Sequence, residues 1–155
     1  MYQQGSNLTQ PELPMKWFNF LTKFALIAGG ILNILSGILY MTGAIYGDMA
    51  DTVYDVFDEL LGINVIFGLA CIGLGIFGFY VWKRLSGYYE NGPKMLNRLY
   101  LGNAIATLFY AIIVAAIVGG DVDVSSSFGS FAVSMAMVAC NTTYFKKRAH
   151  LFTKQ

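Results

Sequence analysis

Charged residues are scarce in this chain of 155 residues, at 12% against about 25% in an ordinary soluble domain. Four stretches lack Asp, Glu, Lys, Arg and His altogether, and they run over about 24–46, 60–82, 99–118 and 124–145. A helix of about 20 apolar residues crosses a hydrocarbon core of about 30 Å. The lack of charge therefore argues against a soluble helical bundle and predicts four transmembrane helices, the fourth weakened by its serines.

Groups that perform chemistry are also missing. The predicted spans contain no ionisable acid or base, which disfavours proton-driven transport. Neither Cys71 nor Cys140 belongs to a C-x-x-C pair, and His150 has no other metal-binding residue close to it in the sequence. No phosphate-binding loop, dinucleotide fingerprint or nucleophile motif is present. We therefore predict a protein that is not an enzyme, with no catalytic residue, cofactor, metal site or nucleic-acid partner.

The few charges that are present lie on opposite sides of the predicted spans. The hinge, residues 83–98 between the second and third spans, carries four Lys and Arg residues and one acid. If the hinge lies inside, all ten Lys and Arg share that side with two acids, which gives the inner side a formal charge of +8. The other seven acids lie outside and give −7, in agreement with the formal net charge of +1. The four spans predict an all-α, multi-pass four-helix bundle, and the positive-inside rule places both of its termini inside.

The organisation along the chain is simple. Residues 1–16 are polar and contain prolines that discourage a helix, so we predict a flexible arm before a single transmembrane domain over residues 17–155. Aromatic residues beside Lys16 and Lys23 are typical of the belt at a membrane interface. Basic residues near the inner ends of the spans are candidates for contact with anionic lipid: Lys83, Arg84, Lys146, Lys147 and Arg148.

The first outer loop has a regular pattern of acids. Four aspartates follow each other at three- or four-residue spacing, which predicts a short amphipathic helix with an acidic ridge. The ridge either attracts cations or basic partners, or is a solvated face that enforces the topology. Its spacing does not match the calcium-binding loop of EF-hands. The predicted acidic patch consists of Asp48, Asp51, Asp55 and Asp58, and the predicted apolar side of Met49, Val53, Val56 and Leu60.

Each predicted span contains one asparagine, and two interpretations remain open. Such amides form hydrogen bonds between helices, worth about 0.6 kcal/mol each, or they bind a substrate in a cavity. Asn103 and Asn141 are predicted at a similar depth, where they could meet. Small residues recur every three or four positions in the first two spans, which predicts close helix packing within one chain or between chains. The four candidate residues are Asn33, Asn64, Asn103 and Asn141.

Two segments are similar to those of a known family. The hinge sequence RLSGYYENGPKML and the ending NTTYFKKRAHLF resemble the corresponding segments of uncharacterised small four-span integral membrane proteins of Firmicutes. Some of those proteins carry a zinc ribbon before the first helix, whereas this chain has no cysteine in residues 1–16. The resemblance implies the four-span fold and a location in a bacterial cytoplasmic membrane, and it implies no activity, cofactor or site residue.

These features favour a non-enzymatic membrane protein that acts as a scaffold or accessory subunit through its helix packing and charged faces. The alternative is a small oligomeric transporter or channel, motivated by the asparagine in each span. The expected partners are the lipid bilayer and either further copies of the chain or another membrane protein. The two functions differ in whether Asn33 and Asn103 face a wet cavity or a dry helix contact.

Overall fold

The computed structural model describes residues 13–119 and 124–155, and helices make up most of both ranges. The predicted arm over residues 1–16 lies mostly outside these ranges, as does the outer turn with Asp121 and Asp123. Two short 3₁₀ helices cover Ala44–Met49 and Ala149–Leu151. The α-helices are α1 (Lys16–Phe20), α2 (Leu26–Met41), α3 (Ala50–Val56), α4 (Glu59–Ser86), α5 (Gly92–Val118) and α6 (Ser125–Lys146).

The all-α fold is confirmed, and three segments of the described chain are long and apolar enough to cross a membrane. These segments are Lys16–Val56, Glu59–Ser86 and Gly92–Val118. With 22 residues at 1.5 Å each, α6 covers about 33 Å and is long enough to be a fourth. Its serines lower its hydropathy, however, and it is not among the three. The fourth span therefore stays a prediction.

The first long helix begins and ends earlier in the chain than the predicted span. It starts at Lys16 and ends at Met41, whereas the apolar run extends from 24 to 46. Gly43 terminates it, because a φ of 74° lies in the left-handed region that glycine adopts without strain. The aromatic residues predicted as an interface belt, such as Trp17 and Phe18, accordingly belong to the helix itself.

A π-helical turn, Leu21–Ala25, joins α1 to α2. In this turn the Leu26 N–H donates to the Leu21 carbonyl, one residue further back than in an α-helix. The Thr22 carbonyl, which an α-helix would pair with Leu26, instead accepts a hydrogen bond of 2.7 Å from the Trp82 indole of α4. The widened turn thus provides a direct polar link between the first long helix and α4.

A short helix is present in the acidic loop, residues 42–58 between α2 and α4, but it covers only the middle of the predicted ridge. Asp51 and Asp55 lie in α3, whereas Asp48 lies in the preceding 3₁₀ helix and Asp58 is the N-cap of α4. The chain kinks at Gly47, where φ is 56°. This kink precedes all four aspartates, but α3 ends at Val56, and Phe57 with φ −132° and ψ 75° separates Asp55 from Asp58. The prediction of one continuous amphipathic helix is therefore wrong.

The apolar side predicted opposite the ridge is only partly buried. Leu60 is buried and Val53 is half-buried, whereas Met49 and Val56 are 63% and 65% exposed. Of these four residues, only Leu60, in the first turn of α4, is fully part of the packed interior. The exposed apolar side chains lie where the helices end, next to the level at which a membrane surface would be.

Helices α2 and α4 approach each other through matched glycines. A Cβ added to Gly37 would lie 2.5 Å from the Gly68 carbonyl oxygen, and a Cβ added to Gly68 would lie 2.5 Å from the Gly37 carbonyl oxygen. Seven residues along each helix, a Cβ added to Gly75 would lie 2.8 Å from the carbonyl oxygen of Gly30. We call these four residues the glycine seam. Small residues of the first two predicted spans thus pack against each other within this chain.

The long helices pack in chain order, α2 on α4, α4 on α5 and α5 on α6. The apolar core lies at the hinge end of the bundle, where all four long helices meet. The tail, residues 147–155, folds back onto the hinge: the Glu90 N–H donates to the Lys154 carbonyl at 2.9 Å. The core consists of Phe18, Leu21, Leu26, Val81, Leu85, Leu96, Leu99, Phe145 and Phe152.

Helix α6 is loosely packed away from the hinge end. Its buried residues are Asn141 and Phe145, both close to its end, and none of residues 125–140 is buried. The last buried residue of α5, Ala104, also lies in the hinge-end half of that helix. Between α2 and α6 the described residues show no packing comparable to that of the other helix pairs. The end of the bundle next to the acidic loop is called the loop end. Towards this end, the bundle has an open side along α6.

Candidate functional site

A cleft opens between α2, α5 and α6, where the chain-order packing leaves a gap. Its volume is about 260 Å³. On the α2 wall, a Cβ added to Gly29 would meet nothing within 4 Å, so this side is open. We call this cavity the polar cleft. It is lined by Ala25, Leu26, Gly29, Gly30, Asn33, Leu99, Tyr100, Asn103 and Ser134.

Two of the predicted asparagines share the polar cleft. Asn33 forms no hydrogen bond with any residue in the described parts of the chain. The Asn103 Nδ2 donates to the Leu99 carbonyl of its own helix at 3.0 Å, which leaves its Oδ1 available. The Ser134 Oγ donates to the Ser130 carbonyl at 2.9 Å and can still accept a hydrogen bond. The cleft thus presents amide and hydroxyl groups that do not bond across to another helix.

Because of the position of Asn33, a polar cleft without water or a bound molecule would be energetically unfavourable in a membrane. Asn33 lies near the middle of α2, and thus near the middle of a segment that is long and apolar enough to cross a membrane. A polar group without a partner in hydrocarbon costs several kcal/mol, because the bilayer core supplies no hydrogen bonds. In a bilayer the Asn33 amide therefore needs either water or a polar group from another molecule.

The size and lining of the polar cleft limit its occupant. Pockets for drug-sized molecules are about 300–1,000 Å³, so the 260 Å³ of the polar cleft is below this range. It can hold several waters, a small solute or the side chains of one packed helix. No charged residue lines it, so the cleft offers no ion-pair partner to a charged solute.

Asn64 is the opposite case, because it is fully buried and fully paired. Its Nδ2 donates to the hydroxyls of Tyr46 and Tyr54, each at 3.1 Å, and its Oδ1 accepts from the Tyr110 hydroxyl at 2.8 Å. Two of these tyrosines come from the acidic loop and the third from α5. The Tyr110 ring also stacks on Phe67 at 4.1 Å between centroids. One amide therefore joins the loop, α4 and α5 at the loop end.

Asn141 is buried at the hinge end and does not bond to Asn103. Its Oδ1 accepts a hydrogen bond of 2.9 Å from the Trp17 indole, so it links α6 to α1. Its Nδ2 has no hydrogen-bond partner among residues 13–119 and 124–155. The expectation that Asn103 and Asn141 could meet came from their depth alone, which gives the height of a residue but not its direction around the helix axis. In the structure each amide has a different partner.

The predicted lipid contacts fall into two groups. The Arg148 side chain is 6% exposed, and its guanidinium donates to the carbonyls of Tyr144 and Pro14, both at 3.0 Å. The Arg84 Nε donates to the Tyr80 hydroxyl at 3.0 Å. These two guanidinium groups are thus engaged within the protein. The remaining three are exposed: Lys83, Lys146 and Lys147.

Acids, histidine and cysteines are dispersed over the molecule. All four aspartates of the predicted acidic patch are exposed. Within residues 13–119 and 124–155, no three His, Cys, Asp or Glu residues are grouped so that they could hold a metal ion. Cys71 is buried in α4, Cys140 is exposed on α6, and both are free. These groups do not assemble into a second chemical site.

Sequence reasoning identified the asparagines but not their partners. The tyrosines around Asn64 carry a usable signal, since Tyr46, Tyr54 and Tyr110 all lie towards the outer ends of predicted spans or in the outer loop. Ser134 carries no such signal in the sequence, because the serines of the fourth span indicated only that this span is less apolar than the others. The open side of α6 could not be predicted either, since its apolar residues do not reveal which face is packed.

Comparisons with protein families, with curated proteins and with solved structures gave no match to this chain. No relative therefore supplies a substrate, a partner or an activity. The interpretation of the polar cleft depends on its own geometry.

Proposed function

We propose that this chain is a multi-pass protein of the bacterial cytoplasmic membrane, with α6 as a fourth span and both termini inside. The charges support this orientation, because Lys and Arg collect at the hinge end and acids at the loop end. The similarity of the hinge and the ending to small four-span proteins of Firmicutes agrees with it. In a variant without native cysteines, an impermeant thiol reagent added outside intact cells should label Asp51→Cys and not Lys154→Cys. The reverse pattern would contradict the orientation.

Within this topology, the function that the geometry favours is that of a non-enzymatic scaffold or accessory subunit. The observation that carries it is the open side of α6, where none of residues 125–140 is buried. A fully packed transmembrane helix would bury a residue every three or four positions. We assign this side and the polar cleft as the surface that receives a transmembrane helix of a partner protein.

The chemistry of the open side suits a helix contact. Helices associate in lipid through close packing of small residues and through hydrogen bonds, since apolar surface alone gives no advantage over lipid. A Cβ added to Gly129 of α6 would meet nothing within 4 Å, so the backbone there is accessible. Asn33 and Asn103 could then bond to a polar residue of the partner, which would remove the cost of an unpaired amide.

Native mass spectrometry in lipid nanodiscs, with identification of co-purifying proteins, tests this function. Ser134→Phe fills the polar cleft, and Ile76→Phe places a phenyl ring on α4 at a side chain that is 60% exposed. We expect a monomer with a reproducible partner, which is retained with Ile76→Phe and lost with Ser134→Phe. A stable homo-oligomer with nothing attached, unchanged by Ser134→Phe, would contradict the accessory-subunit function.

The second candidate function is a small oligomeric transporter or channel. The observation that favours it is the unpaired Asn33 in a cavity large enough for several waters. In a Cys140→Ala background, a water-soluble thiol reagent should label Asn103→Cys if the cleft is wet, while buried Cys71 stays unlabelled as an internal control. Labelling together with flux of a small neutral solute in liposomes would support this function. Absence of flux for every solute tried would remove it.

A further inference from the structure

We propose that a groove at the hinge end, between α5 and α6, binds the headgroup of an anionic phospholipid. The groove has a volume of about 300 Å³. It is separate from the polar cleft, with which it shares no lining residue. Lys94 of α5 and Lys146 of α6 lie on its two sides. We call it the basic groove.

The charge of the basic groove favours a phosphate. Lys94 and Lys146 are both exposed, and neither forms an ion pair in the described parts of the chain, although Glu90 also lines the groove. A neighbouring cavity that shares Lys94 and Glu90 adds Lys154 of the tail. Among the side chains that line the two cavities, three ammonium groups therefore accompany one carboxylate. Basic groups at this level attract anionic headgroups, and lysine binds phosphate as a point charge.

The shape of the basic groove is fixed by contacts between its walls. At its deeper end the Asn97 Nδ2 of α5 donates to the Thr142 Oγ1 of α6 at 2.8 Å, and this hydroxyl donates to the Val138 carbonyl at 2.7 Å. On the tail side, Phe152 is buried against Phe145, with ring centroids 5.4 Å apart. These contacts hold together the helices that carry the two lysines, so the groove is formed before a ligand binds.

The apolar part of the lining favours a lipid over free phosphate. Pro93, Phe145, Ala149 and Phe152 line the same groove as the lysines. A phosphate ion would gain nothing from these side chains, whereas the glycerol and first methylenes of a lipid would bury apolar surface against them. The groove also lies at the hinge ends of α5 and α6, where lipid headgroups would be if the helices cross a membrane.

This proposal rests on the membrane insertion in the proposed function, but not on the partner helix. Native mass spectrometry of the full chain from nanodiscs with equal amounts of phosphatidylglycerol and phosphatidylcholine tests it. We expect one retained phosphatidylglycerol on the wild type. Lys94→Gln with Lys146→Gln should lower its binding about 30-fold, the factor for the loss of two lysines. Lys16→Gln with Lys23→Gln removes the same charge from exposed positions outside the groove and should leave binding unchanged.

Further variants and ligands make each outcome decisive. Lys94→Arg with Lys146→Arg keeps the charge and should retain the lipid, which separates loss of charge from loss of folding. An equal loss with the control pair would overturn the groove in favour of diffuse surface charge. Displacement of the lipid by millimolar inorganic phosphate would identify a free phosphate site and overturn the lipid assignment. If the chain enters nanodiscs without lipid selectivity, only this proposal fails; if it does not enter them, the proposed function fails as well.

Discussion

The two sides of α2 differ in how closely they approach another helix. On one side, Gly30 and Gly37 meet the backbone of α4 so closely that a methyl group would not fit without movement. On the other side, Gly29 and Asn33 face the polar cleft, where a Cβ on Gly29 would meet nothing within 4 Å. One face of α2 is therefore tightly packed against α4, and another face is open. The difference indicates where the molecule is complete by itself and where it is able to accept another molecule.

The largest effect on stability should come from a substitution in the tightly packed interface between α2 and α4. Gly68→Ala places a methyl group 2.5 Å from the Gly37 carbonyl oxygen, and a backbone atom cannot move aside cheaply. We expect the free energy of unfolding to fall by about 3 kcal/mol, the upper range for overpacking. Reversible unfolding in mixed micelles measures this change. Gly73→Ala on the same helix meets nothing within 4 Å and is the control, for which we expect no loss. Equal losses would show that the seam is not tight.

The next effect compares a paired amide with an unpaired one. Asn64→Leu removes three hydrogen bonds and leaves three tyrosine hydroxyls without their partner. We expect it to lower the free energy of unfolding by about 2 kcal/mol. Asn33→Leu removes an amide that bonds to no described residue, and because water in the cleft can satisfy this amide in the isolated protein, the free energy should change by less than about 0.5 kcal/mol. Similar losses for both in the same unfolding measurement would mean that Asn33 has a partner within the folded monomer.

A smaller effect isolates a single bond of the Asn64 network. Tyr110→Phe removes the hydroxyl that donates to the Asn64 Oδ1 at 2.8 Å. We expect a loss of about 1 kcal/mol, since a buried acceptor is left without its donor. Tyr40→Phe is the control, because the Tyr40 ring packs on Tyr110 and Phe67 while its hydroxyl bonds to no described residue. If the two variants unfold alike, the ring contacts and not the hydrogen bond stabilise the loop end.

The smallest effect compares neighbouring glycines on the two sides of α2. Gly29→Ala adds a methyl group to open space and should leave the free energy of unfolding unchanged or raise it by up to about 1 kcal/mol. Gly30→Ala adds it 3.1 Å from the Phe79 ring and 3.3 Å from the Gly75 carbonyl oxygen, so we expect a loss of about 1 kcal/mol. The sign of the difference, measured on the same preparation, decides whether the cleft side of α2 is open.

The elements of the fold could be predicted from the sequence better than their bounds. Charge-free apolar runs predict helices because a membrane helix satisfies its own backbone hydrogen bonds. Helix ends were less predictable: the apolar run continues to Tyr46, but Gly43 takes a left-handed conformation and the helix stops at Met41. The prediction of one helix along the acidic ridge failed for a similar reason, because the spacing of the aspartates does not reveal that α3 ends at Val56, before Asp58.

The candidate site could be predicted only in part. Polar residues in apolar spans identify Asn33 and Asn103, which do line the polar cleft. The difference between these amides and Asn64 could not be predicted, because pairing depends on the direction of each side chain around its helix. The basic groove was missed for another reason: Lys94 and Lys146 are far apart in the sequence, and the contact of α5 with α6 brings them to one cavity.

The π-turn before α2 also sets the rotational phase of the first long helix. Twelve residues separate Phe18 from Gly30, so at 100° per residue an ideal α-helix would place their side chains about 120° apart. One extra residue taken up by the turn brings them to within about 20°, in agreement with the burial of both. The turn therefore accommodates one extra residue without changing which face of α2 is buried. Deletion of one residue within Leu21–Ala25 should restore an ordinary α-helix with the same buried face, but without the carbonyl that Trp82 needs.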